Sequence, residues 1–144
     1  MADINRKVLN EVNKGATMGM DAISYVTDKV EDEKFKKILN VEYNKYRKTF
    51  DKVNEIYSEY GEGEPQETNP MNKMMTWYGV QMKTVNDKSN SKISELLLQG
   101  TNMGIIEGRR LLNNNPSIDP EVRKILDEFV TMQEDSMETL KKYL

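Results

Sequence analysis

Apolar residues in the first part of the chain recur at steps of three and four: Leu9, Val12, Ala16, Gly19, Ile23, Val26 and Val30. Residues at that spacing stack on one side of a 3.6-residue turn, so the stripe predicts one face of a long amphipathic helix. Asp3 stands where its N-cap belongs. A second stripe runs through Phe35, Leu39, Glu42, Tyr46, Thr49, Val53, Ile56 and Tyr60. It follows Glu31-Asp32-Glu33, acids that suit the positive end of a helix. Only a few residues near Val30 to Asp32 separate the stripes, which predicts an antiparallel helical hairpin.

Residues 61–70, GEGEPQETNP, mix glycine, proline and acids without periodicity and read as a linker. Asn69-Pro70 is a cap followed by proline at the first helical position. Met71, Met74, Met75, Tyr78, Met82 and Val85 then predict a shorter helix, which DKSNSK breaks. A third long helix carries Ile93, Leu97, Gly100, Gly104, Glu107 and Leu111 and stops at Asn113-Asn114-Asn115-Pro116. Asp119-Pro120 repeats the cap-then-proline signal. Val122, Leu126, Phe129, Val130, Gln133, Met137, Leu140 and Leu144 carry the last helix to the C-terminus.

No segment alternates as a strand would. The expectation is an all-α domain over residues 1–144, with long helices near 4–29, 32–60, 91–113 and 119–143. A short crossover helix is placed near 70–86. Two hairpins joined by one long crossover make a ferritin-like four-helix bundle rather than a simple up-and-down one. DEKFKKIL at 32–39 and DPEVRKIL at 119–126 each open the second helix of a hairpin, a hint of internal duplication.

Composition narrows the chemistry. The 144 residues include no cysteine and no histidine, which removes disulfides, thiolate zinc sites, cysteine nucleophiles and every histidine-dependent triad. Carboxylates, lysines, tyrosines and hydroxyls remain. A net charge of -3, with both signs interspersed, offers no basic surface for a nucleic-acid backbone. No stretch approaches the roughly 20 apolar residues of a membrane span, and the polar N-terminus lacks the apolar core of a signal peptide. A cytoplasmic protein is expected.

The stretch LNEVNKGATMGMDAISYVTDKVEDEKFKKIL, the segment from Asn69 to Val85 with Trp77, and IDPEVRKIL resemble the bacterial ferritin-like family known as "domain of unknown function 2383". That family is related to the rubrerythrin-like bundles. The resemblance covers about Leu9 to Leu144. It implies the ferritin-like fold and supplies no function.

Di-metal ferritin-like proteins hold iron or manganese with a Glu from each of two helices and Glu-x-x-His from the other two. Here Glu42 is followed three residues on by Lys45, and Glu134 by Met137; Glu107 lies on the third helix. A lysine repels the ion, and a thioether is too soft for either metal. Laying the IL pair at 38–39 on that at 125–126 sets Glu42 against Phe129 and Glu134 against Arg47, so the two motifs are not symmetry-equivalent.

Glu42 is therefore read as a boundary residue paired with lysine. No catalytic residue, cofactor ligand or complete metal site is assigned. The leading expectation is a non-enzymatic structural or interaction protein, homo-oligomeric, with a protein partner of unspecified identity. The alternative is a di-iron or di-manganese carboxylate oxidoreductase, or a metal store, in which Glu42, Glu107 and Glu134 converge. A third reading is a small-molecule pocket beside the ladder Gly100, Gly104 and Gly108. The methionine cluster and Trp77 are read as packing groups.

Overall fold

In a computed structural model that describes residues 2–67 and 87–144, four long helices form a bundle, and no strand occurs among the described residues. They are α1 (Ala2–Thr27), α2 (Glu33–Ile56), α3 (Asn90–Asn114) and α4 (Pro120–Lys141). A 3₁₀ turn, Tyr57–Tyr60, extends α2. The expected short helix near 70–86, with its methionines and Trp77, lies outside the described residues.

The caps correct the expected boundaries. Asp3 lies inside α1, which already begins at Ala2. Asp32 caps α2: its side chain accepts from the backbone N–H groups of Lys34 and Phe35. Ser89 caps α3 by accepting from Lys92 N–H. Asp119 occupies the N-cap position of α4 without a side-chain capping bond; its carboxylate instead accepts from the Tyr60 hydroxyl at 2.9 Å.

Contacts between the ends of the helices fix the topology. Arg6, near the start of α1, donates to the Tyr57 hydroxyl at the end of α2 (2.9 Å), so these two helices are antiparallel. Asn5 Oδ1 accepts from Asp119 N–H (2.7 Å), which places the starts of α1 and α4 at the same end. Asn90 donates to Asp32 (2.9 Å), so α3 starts at the opposite end, beside the turn between α1 and α2. The connection after Tyr60 therefore joins opposite ends of the bundle, and α2 and α3 run in the same direction.

The core holds Leu9, Val12, Phe35, Leu39, Val53, Ile93, Leu96, Leu126 and Val130, all buried. Helix pairing is closest within each hairpin, α1 with α2 and α3 with α4; α1 touches α3 more sparingly. Residues 61–67 run along α1. Asn10 accepts from Gln66 N–H, Asn13 donates to Gln66 O, both at 2.9 Å, and Arg6 donates to Glu62 O.

The burial pattern shows that the two hairpins repeat. The buried residues of α2 are Phe35, Leu39, Glu42, Tyr46, Thr49 and Val53. At the same spacing α4 buries Val122, Leu126, Phe129, Gln133, Ser136 and Leu140. The first helices match too, since GATMG at 15–19 of α1 corresponds to GTNMG at 100–104 of α3. The hint in DEKFKKIL and DPEVRKIL thus extends to both helices of each hairpin.

Candidate functional site

Glu42 is the one acidic side chain fully buried among the described residues, with 2 % of its surface exposed. Lys45, one helical turn on, places Nζ 2.8 Å from its Oε2, and the Ser136 hydroxyl of α4 donates to its Oε1. Both carboxylate oxygens are therefore engaged. The lysine pairing agrees with the sequence, but the boundary location does not: Glu42 is interior, and its second partner is a serine.

Glu107 and Glu134 lie at the surface. Glu107 pairs with Arg110 (2.8 Å) and Glu134 with Arg109 (2.9 Å), both as exposed side chains. Among the described residues no group of three or more acidic side chains is placed to hold a metal ion. Glu42, Glu107 and Glu134 do not converge.

What the helices form instead is a cavity of about 790 Å³ that opens to solvent. Its walls are the repeated glycine segments: Gly15, Met18 and Gly19 on α1 face Gly100, Met103 and Gly104 on α3. Two of these glycines make room for a side chain of the neighbouring helix. A Cβ on Gly19 would fall 2.4 Å from the Tyr46 ring, and one on Gly104 would fall 2.0 Å from Gln133 Oε1. Tyr46 and Gln133 occupy equivalent positions in the two repeats, so in each hairpin a glycine on the first helix admits a bulky inward side chain from the second.

The floor is polar and unlike in the two halves. Tyr46 packs edge-on against Phe129, with ring centroids 6.1 Å apart. Burial pushes its phenol up to about 12; a hydrogen bond with Thr101 acts against that shift and the Glu42 charge adds to it. In the other half, Gln133 is 2 % exposed and its Nε2 has no hydrogen-bond partner among the described residues. The mouth carries Lys7, Glu11, Glu67, Met103 and Glu107, all exposed. Near it burial, and then the charge of Glu67, raise the pKa of Asp21.

Comparison of the chain with family models, curated proteins and solved structures gives no match. The geometry alone therefore speaks for the site. Sequence reading found Glu42 and the glycines of α3, but it missed Tyr46, Gln133 and Ser136 as floor residues. The available signal was the GATMG and GTNMG pair, which marks α1 and α3 as the facing walls.

Proposed function

We propose that this protein is a non-enzymatic binding protein built on a ferritin-like bundle, in which the interior receives a small molecule rather than a di-metal centre. The cavity of about 790 Å³ carries this reading. Ligand sites are typically clefts of roughly 300–1,000 Å³, mostly apolar, with a few placed polar groups. Glycine walls over a floor of Glu42, Tyr46, Gln133 and Ser136 match that description.

The ferritin-like assignment, and with it the relation to the family of unknown function named above, is supported by the connection between opposite ends of the bundle. Homo-oligomerisation and a cytoplasmic site of action belong to the same proposal. The exposed apolar residues Val41, Met103, Ile106 and Leu144 are surfaces on which copies or a protein partner would meet. Among the described residues no helix is long and apolar enough to cross a membrane. Engagement of both Glu42 oxygens weighs against the carboxylate-metal alternative.

A thermal-shift screen with neutral, cavity-sized compounds tests the proposal. At a hundredfold excess over Kd, a binder raises the melting temperature by about 5–10 °C for a chain of this size. The same compound should move the methyl resonances of Met18 and Met103, one on each wall. Unmoved resonances throughout would refute the cavity reading. So would about two iron or manganese ions per chain after anaerobic purification.

A further inference from the structure

We infer that the cavity selects a neutral molecule whose apolar body carries a hydrogen-bond acceptor, such as a ketone or amide carbonyl, and that Gln133 Nε2 is the donor that reads it. This rests on the binding reading above and specifies its ligand.

The first observation is the orphaned donor. Gln133 lines the cavity, is 2 % exposed, and leaves Nε2 unpaired among the described residues. Buried polar groups in folded proteins are nearly always bonded, because desolvation without a partner is costly. A glutamine kept there without a protein partner has its donor free for a guest once its terminal torsion, which turns readily, brings Nε2 out of its buried position.

The second observation is that the Gly104 backbone lies directly against this amide. A Cβ there would come 2.0 Å from Oε1, so a larger residue would have to turn the amide away. The equivalent pair, Gly19 and Tyr46, has the same close approach, but there an aromatic ring stands where the other repeat has an amide. The two repeats therefore present different groups at this place, and only the amide is among the buried polar atoms left unpartnered, which gives a near-symmetric cavity a direction.

The floor carries no uncompensated charge for an ionic ligand. Ser136, one turn from Gln133 on α4, bonds the Glu42 carboxylate, and Lys45 neutralises that carboxylate at 2.8 Å, so an anion at Gln133 would meet no unpaired cation. A cation would meet no unpaired carboxylate for the same reason. A neutral carbonyl meets the donor and needs neither.

The test compares two probes of nearly equal size. One is the fluorescent ketone propionyl-dimethylaminonaphthalene; the other is its propyl analogue, which lacks the carbonyl. The wild-type protein should bind the ketone about tenfold tighter, and Gln133→Met should weaken the ketone to the level of the hydrocarbon while leaving the hydrocarbon unchanged. Equal wild-type affinities overturn the inference even if the variant fails to fold. So does a preference that survives in Gln133→Met, or tighter binding of the analogue bearing a secondary alcohol, which would mean that the amide presents its oxygen. Binding of neither probe overturns the cavity reading as well, which separates the two failures.

Discussion

Lys45→Met tests whether the floor of the cavity is a closed electrostatic unit. The substitution keeps an unbranched stem with similar helix propensity and removes the ammonium 2.8 Å from Glu42 Oε2. Removing one partner from a fully buried pair costs about 3–5 kcal/mol. Two features reduce that figure here: the Lys45 side chain is 35 % exposed, so its charge is partly hydrated, and Ser136 continues to bond Oε1. The expected loss is about 1.5–3 kcal/mol.

Glu42→Gln provides the control, since it preserves shape and removes the charge that needs compensation. On that background Lys45→Met should cost about 0.5 kcal/mol, giving a coupling energy of about 1–2.5 kcal/mol. Urea unfolding measures both steps; with m near 1–3 kcal/mol/M, the single variant shifts the midpoint by about 1 M at unchanged slope. Additivity within about 0.5 kcal/mol would refute the reasoning. It would mean that Glu42 does not depend on Lys45, leaving an oxygen free for a cation or a ligand.

Other consequences concern the walls and the caps. Gly19→Ala gains up to about 1 kcal/mol of helix propensity, yet its Cβ would lie 2.4 Å from the buried Tyr46 ring; we expect a net loss of about 1–2 kcal/mol in thermal melts, and a stabilised variant would contradict the packing described. Asp32 is held below the ordinary aspartate value of 3.8 by its hydrogen bond from Asn90 and by the Lys34 and Phe35 N–H groups. Its contribution is therefore present above that value and lost as pH falls through the lowered one, and Asp32→Ser should flatten this part of the acid limb of the urea midpoint. Glu59 has the opposite sign: a hydrogen bond with Glu121, and then the charge of Glu121, raise it above 4.5. Stability from that contact is present below 4.5 and lost as pH rises through the raised value, so Glu59→Gln should exceed the parent in urea midpoint at neutral pH.

The helices were legible because their signals are local. The i, i+3, i+4 stripes and the proline after Asp119 give elements to within a few residues, and Asp32 at the cap explains why α2 starts where it does. The interior was less legible. Glu42 followed by Lys45 suits a solvated helix edge and a buried ion pair equally well; the difference lies in Ser136, which is 94 positions away in the chain. Glycine also hides its purpose in a helical stripe. The ladder at Gly104 could be read as room for a bulky side chain opposite, but the chain does not say that the side chains are Tyr46 against Gly19 and Gln133 against Gly104. Gln133 fits the stripe of α4 by position, and nothing in the chain announces that its amide lacks a partner.

The two hairpins are held together unequally. Within each, side chains from both helices interlock, whereas α1 and α3 approach across a face where glycines supply no side chains. The site thus lies on the seam between the hairpins, where helices touch more sparingly than within either one. A guest filling it would act as a removable piece of the hydrophobic core, touching both repeats at once. Occupancy would then decide whether the halves loosen one at a time or melt as a single cooperative body, and any signal the protein carries could be read as stiffness rather than as a change of shape.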